Sequence, residues 1–280
     1  MRTLFKRVTR APLGIELWLM AICLASLVGS IAASAQTSEG TFTPIVGQEG
    51  KDVVWVPTPQ TLVEKMLDMA KVTPQDFVID LGSGDGRNVI AAAKRGARAL
   101  GVEYNPDMVD LAKRIAEKEG VAEKAEFVQG DMYEADISQA TVLALFLLPD
   151  NLTKLTPKFL ALKPGTRIVA NHFGIAGWNA DETEKIETDC QNWCTSLLYI
   201  VPAKVEGTWR LPQGELTLDQ KFQVVSGTLS SGGSSTPIAE GRLRGDQITF
   251  SAAGTNYVGR VNGDTMEGSA PASWRATRAK

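Results

Sequence analysis

Histidine and cysteine are scarce. One histidine and three cysteines in 280 residues leave too few ligands for a His/Cys zinc cage, so no metal is expected. An excess of basic charge is also missing. Lysine and arginine number 29 against 32 aspartates and glutamates, a net charge of −3. Such a chain lacks the broad positive field that drives nonspecific nucleic-acid binding, and nucleic acid is not an expected partner. With 26 Gly, 13 Pro, 22% charged and 44% hydrophobic residues, usage is otherwise that of a globular protein. This excludes a collagen-like, disordered or disulfide-dense chain. The length suits one large domain or two modest ones.

The first 35 residues read as a targeting segment. Arg2, Lys6, Arg7 and Arg10 give a basic start, Leu17 to Ala33 is uncharged, and Ala33-Ser34-Ala35 is a small-x-small cleavage site. That order is a secretory signal peptide. An uncleaved anchor is the alternative, because an apolar stretch of 17 residues sits at the short edge of what spans a bilayer. Either way the basic end stays inside and the rest is exported, with the periplasm as the expected location. Cysteine usage agrees. Cys23 leaves with the signal, and Cys190 and Cys194 remain as an even pair without a rival thiol. In an oxidising compartment a disulfide is expected between them. A redox-catalytic pair usually has two intervening residues; here there are three.

Residues 36–54 are rich in Gly, Thr, Ser and Glu, have no sustained period, and read as a flexible lead. Residues 55–203 alternate strands and helices. Thr58 is expected to cap a helix with Pro59 at its first position, followed by Leu62, Val63, Met66, Leu67 and Ala70 at helical spacing. Strands are predicted at Phe77–Leu81, Arg98–Glu103, Ala125–Gln129, Thr141–Leu147 and Arg167–Phe173. Helices are predicted at Asn88–Arg95, Pro106–Glu119 and Asn151–Leu162. This α/β pattern gives a Rossmann-like, doubly wound, mostly parallel sheet. Lys185–Asp189 and Ser196–Val201 read as two more strands around the cysteine pair. From Val205 the helical period disappears, and glycine turns punctuate short strands to residue 280. That part reads as a small antiparallel β domain, a sandwich or barrel, with Asn262-Gly263 as a two-residue hairpin turn.

The chemistry concentrates at the ends of the first three strands. Phe77-Val-Ile-Asp80 runs into Leu81-Gly82-Ser83-Gly84-Asp85-Gly86 and then a helix. Glycines there let a ligand approach the backbone. Asp80, just before the loop, would repel a pyrophosphate but suits the ammonium of S-adenosylmethionine. Glu103 ends the second strand, placed for two ribose hydroxyls. Asp131 and Met132 follow the third, placed for the adenine amine and ring. Glycine turns also serve packing alone and acidic residues also cap helices, but all three in this order point to one ligand.

Asp80-Leu-Gly-Ser-Gly-Asp-Gly86, Glu103 and Gly130-Asp131 resemble class I S-adenosylmethionine-dependent methyltransferases over about residues 53 to 203. Val56-Pro57-Thr58-Pro59, Leu147-Leu-Pro149-Asp150-Asn151, Pro164-Gly-Thr-Arg-Ile-Val169 and Trp178 are similar to the mitochondrial protein-lysine methyltransferases. That resemblance implies a seven-stranded sheet ending in a hairpin, S-adenosylmethionine as cofactor, and a protein lysine as acceptor. The known group modifies membrane proteins, including the ATP synthase c subunit and the adenine nucleotide translocator. The C-terminal β domain has no counterpart in that group. Two other classes stay open: a methyltransferase acting on a lipid or phenol, and a noncatalytic module that binds adenosyl compounds.

The candidate acceptor pocket comprises Trp55, Pro57 and Thr58, then Pro149 and Asn151, then His172 and Phe173. Asn151 could orient an amine, or serve a helix start. His172 could act as a base, or pack. Trp193, Trp209 and Trp274 could bind a partner, or fill the β core.

Overall fold

The computed structural model describes residues 42–279; the expected signal segment and residues 36–41 of the expected lead lie outside them. Helix α1 (Gln60–Met69) buries Leu62, Val63, Met66 and Leu67, the predicted apolar stripe. Its start differs from expectation. Pro59 takes the cap position, with no side-chain cap. The Thr58 hydroxyl instead accepts a hydrogen bond from Asn171 Nδ2 at 3.3 Å.

Strands β1 (Phe77–Leu81), β2 (Arg98–Glu103), β3 (Ala125–Gln129), β4 (Val142–Leu145) and β5 (Arg167–Asn171) alternate with α2 (Arg87–Lys94), α3 (Pro106–Lys118) and α4 (Pro149–Phe159). Asn105 caps α3 by accepting the Asp107 N–H at 2.9 Å, ahead of Pro106. Strand β4 is shorter than predicted. Phe146 leaves the ladder, and Pro149, whose fixed φ favours a helix start, opens α4. With β6 (Glu182–Lys185) and β7 (Thr195–Ile200) the sheet has seven strands, in the order β3-β2-β1-β4-β5-β7-β6. The first five are parallel; β7 runs antiparallel to β5 and to β6.

Strand β6 lies earlier than the predicted Lys185–Asp189. All four of its residues are exposed, so it carries no apolar alternation. Its place is set by pairing with β7, Glu182 opposite Leu198. The loop after it contains the Cys190–Cys194 disulfide.

The C-terminal part is a barrel. Strands β8 (Gly207–Leu211), β9 (Gly214–Lys221), β10 (Val224–Ser231), β11 (Ser234–Pro237), β12 (Ala239–Arg244), β13 (Gln247–Ala252), β14 (Thr255–Asn262), β15 (Thr265–Ala270) and β16 (Trp274–Arg278) are all antiparallel. Pairing of β16 with β8 and of β9 with β10 closes eight of them, and β11 hangs on β10 alone. Closure removes the exposed edges of a small sheet. Trp209, Leu216, Leu243, Ile248 and Met266 are fully buried inside. The Asn262-Gly263 turn is shifted by one residue: Asn262 pairs with Thr265, leaving Gly263 and Asp264 as the turn, with Gly263 at φ +56°.

The barrel docks on the β6 side of the sheet. Trp178 stacks on Phe222 with ring centroids 5.3 Å apart. Arg242 pairs with the fully buried side chain of Asp181 at 2.8 Å, and Arg244 with Glu182.

Candidate active site

The carboxyl ends of β1 to β5 open into a cavity of about 260 Å³. Ligands of open α/β sheets bind at this edge. The glycine loop after β1 forms its floor. Gly84 has φ +54°, and a Cβ there would lie 2.7 Å from Trp55 Nε1. At Gly86, φ +82°, a Cβ would meet Phe127 at 2.6 Å. The loop therefore needs glycine for backbone angle and for close approach alike.

Asp80 is buried at the cavity wall and accepts from Asn88 Nδ2 at 3.0 Å. Burial pushes its carboxyl well above the usual range, the Asn88 hydrogen bond opposes this, and the nearby charges of Glu103 and Asp85 push it further up. Glu103 accepts the Gly84 N–H and the Asn105 N–H, each at 2.9 Å. It fixes the glycine loop against the end of β2. Asp131 accepts the Tyr133 N–H at 2.8 Å and pairs with Lys51 Nζ at 2.5 Å. The Lys51 hydrogen bond holds its carboxyl below the usual range. Met132 is buried beside it.

Gly82, Ser83, Gly84, Asp80, Glu103, Asp131 and Met132, all expected to hold cofactor, thus line one cavity. Two of the cavity-lining residues carry a buried polar atom without a protein partner, Ser83 Oγ and Asn88 Oδ1. Buried polar atoms ordinarily find partners, so these two invite a polar ligand.

The lead differs from expectation. Gly47 N–H donates to Trp55 O at 2.9 Å and Trp55 N–H to Gln48 O at 3.0 Å, folding it into a tight hairpin. Residues 48–58 form the cavity roof. Lys51, whose ammonium lies 4.9 Å from the centre of the Tyr104 ring, ties that roof to Asp131. The sequence offered no signal for this, because the pair is 80 residues apart.

The acceptor candidates separate. Trp55, Pro57, Thr58 and Phe173 line the cavity; Pro149, Asn151 and His172 do not. Asn151 is occupied by structure: its Oδ1 accepts the Leu148 N–H at 3.2 Å and its Nδ2 donates to Tyr133 Oη at 2.8 Å. It reaches back from the first turn of α4 to the residue before the helix, and has no free group to orient an amine. His172 is exposed, at φ +62°, with its ring edge-on to Phe173 at 5.0 Å. Trp209 and Trp274 fill the barrel. Trp193 does not: with Phe146 it lines the cavity. Among the described residues no group of three or more His, Cys, Asp or Glu could hold a metal.

Comparison with known proteins decides the family. A model described as the ANTKMT methyltransferase domain matches residues 80–182. A protein-lysine N-methyltransferase of Saccharolobus islandicus (strain REY15A) is 45% identical over 152 residues, covering 53% of this chain and 94% of that protein. A lysine N-methyltransferase of the ATP synthase c subunit, from Rattus norvegicus, is 32% identical over 167 residues, 58% of this chain and 77% of that protein. The chain belongs to the ANTKMT methyltransferase family. A solved structure from Salinibacter ruber, described as an RNA methyltransferase bound to S-adenosyl-L-homocysteine, is 44% identical with a TM-score of 0.50, covering 54% of this chain and 96% of that one. This ANTKMT-family chain is therefore an S-adenosylmethionine-dependent methyltransferase with a Rossmann-like fold. Almost the whole archaeal enzyme corresponds to little more than half of it.

Proposed function

We propose that this methyltransferase acts on the ε-amine of lysine in a protein, a membrane protein being the first candidate. The observation that carries the reading is the character of the cavity at its β4–β5 end. If Asp80 takes the cofactor ammonium, Glu103 the ribose and Asp131 the adenine amine, the ligand runs from β1 toward β3. The sulfonium end then borders β4 and β5, where the lining residues are Phe146, Leu147 and Phe173. The same cavity is lined by Glu49, Asp52, Asp85, Glu103 and Asp131 against Lys51 and Arg87. Such a lining attracts a cation and suits an ammonium-bearing side chain better than an RNA backbone. The names of the archaeal and rat relatives support the same acceptor.

When bound, S-adenosylmethionine supplies an electrophilic methyl on a sulfonium sulfur. The chain's own task is positioning and exclusion of water. Ser83 and Asn88 offer unpartnered polar atoms, and Asp80 offers a carboxylate once its proton leaves. The carboxylates of the cavity and its entrance draw the ammonium in, whereas the apolar Phe146, Leu147 and Phe173 at the methyl-transfer end disfavour its charged form and promote loss of the proton before attack. The Phe146 and Phe173 wall would also suit a phenol or lipid acceptor, which is the second reading.

We also propose that the chain is exported. The basic start, the uncharged stretch and the Ala33-Ser34-Ala35 site support this, and the disulfide of Cys190 with Cys194 is in keeping with an oxidising compartment.

Incubation with methyl-labelled S-adenosylmethionine and a membrane extract, followed by mass spectrometric mapping, tests the acceptor. Label on lysine Nε of a protein is expected. Label confined to lipid, small phenols or RNA contradicts the reading.

A further inference from the structure

We infer that the disulfide-bracketed loop carries the entrance wall of the acceptor site, and that Trp193 is its cation-binding face. The inference rests on the lysine reading above.

Trp193 stands immediately before Cys194, in the segment that the disulfide to Cys190 closes into a small ring. Its backbone is at φ +54°, a conformation L-residues rarely adopt, which the covalent ring helps to hold. The loop is also tied at its base: Ile186 N–H donates to Cys194 O at 3.0 Å, and Thr61 Oγ1 of α1 donates to Asp189 O at 3.4 Å. A large indole in an exposed loop normally turns inward to bury itself. Here the residue stays 38% exposed and lines the cavity.

Its neighbours are aromatic. Phe146, just past β4, lies 6.0 Å from Trp193 between ring centroids and 6.3 Å from Phe173, just past β5. Three rings from three segments therefore border the end of the cavity where the methyl group would be presented. Among the described residues no ring-bearing side chain of the barrel lines that cavity. Aromatic faces attract alkylammonium ions, tryptophan most strongly. The carboxylates deeper in the cavity add a field of the same preference. The geometry assigns an occupant: the butylammonium arm of lysine, entering past Trp193 with its apolar stem against Phe146 and Phe173.

The test uses the full-length mature protein saturated with S-adenosylhomocysteine. Calorimetric titration with n-butyltrimethylammonium, and with neutral n-butanol as control, reads the wall directly. Binding of the cation in preference to the alcohol is expected. Trp193→Ala should weaken the cation by roughly five- to tenfold and Trp193→Phe should restore part of it, with S-adenosylhomocysteine affinity unchanged in both. In turnover on the mapped lysine acceptor, Trp193→Ala and the Cys190→Ser/Cys194→Ser double variant should raise KM for the acceptor with little change in kcat. Equal cation binding by wild type and Trp193→Ala, with lysine labelled by both at the same KM, overturns the inference and leaves the lysine reading standing. Wild-type label on a group other than lysine overturns the lysine reading itself.

Discussion

Asp76 and Asp80 lie at opposite ends of β1, and their environments drive their carboxyls in opposite directions. Burial pushes Asp76 up, but hydrogen bonds from Thr141, Thr73 and Arg167 outweigh it and hold the group below the ordinary value. Its contribution to stability is present above the ordinary aspartate pKa and is lost as pH falls through the lowered one. Asp76 thus fastens β1, β4 and β5 together. Asp80 has a single amide donor and two nearby carboxylates, and burial dominates. The folded protein holds this proton more tightly than the unfolded chain, so stability declines as pH rises from the ordinary aspartate pKa to the raised one. Asp80→Asn removes that decline. Urea denaturation of the ligand-free variant at neutral pH should give a higher midpoint than wild type, while cofactor affinity falls. In wild type, binding of the cofactor cation should release a proton and strengthen with rising pH until Asp80 is ionised in the free protein. Calorimetry in buffers of different ionisation enthalpy checks this; a midpoint below wild type, or binding without proton release, contradicts it.

At the scale of elements, the legible parts of the sequence were those whose signal is local. The glycine loop, the cap at Asn105 and the apolar runs of β1 and β4 each declare themselves within a few residues. The parallel part of the sheet followed from these, and the resemblance implied the closing hairpin that brings it to seven strands. Strand β6 was misplaced because four exposed residues carry no pattern, and only β7 dictates its register. The lead was read as flexible because Lys51–Asp131 and Trp55–Gly84 join distant segments. Asn151 and His172 sit near the expected edge of the sheet but do not line the cavity, and sequence alone does not tell which residues near an edge line it. The roof makes its own prediction. The Lys51–Asp131 pair is partly exposed, and such pairs contribute about 0–1 kcal/mol. Lys51→Ala should leave the melting temperature nearly unchanged yet speed S-adenosylhomocysteine release by about two- to fivefold, since the roof loses its fastening. Stopped-flow displacement measures this, and an unchanged rate would show that the roof is held elsewhere.

For the whole molecule, the barrel and the methyltransferase sheet share an interface built on the β6–β7 hairpin, whose loop carries the disulfide. Among the described residues none of the barrel lines the cavity. The barrel's charged contacts with the sheet run through Asp181 and Glu182, at and just before β6, and the expectation is that the barrel serves the acceptor rather than the cofactor, against a purely stabilising cap. Arg242→Ala leaves the buried Asp181 carboxylate with Ile200 N–H as its remaining partner, at a cost of about 1–3 kcal/mol. A lower melting temperature and slower acceptor methylation are expected, with cofactor affinity intact. Weakened cofactor binding in the folded variant would show that the barrel reaches the cofactor site. That the β strands formed a closed barrel rather than a sandwich was not legible, because closure depends on β8 meeting β16 and β9 meeting β10.

The central claim is that the carboxyl edge of β1, β2 and β3 is where the cofactor is held, with Glu103 on its ribose. Isothermal titration of S-adenosylhomocysteine into wild type and Glu103→Ala tests it most directly. Glu103 also braces Gly84 and Asn105, so circular dichroism of the variant must first match wild type. One molecule bound per wild-type chain is predicted, with affinity weakened in the variant by about 1–3 kcal/mol, the loss of a hydrogen-bonded partner. Equal affinity in a folded Glu103→Ala protein would contradict the placement of the cofactor in this cavity.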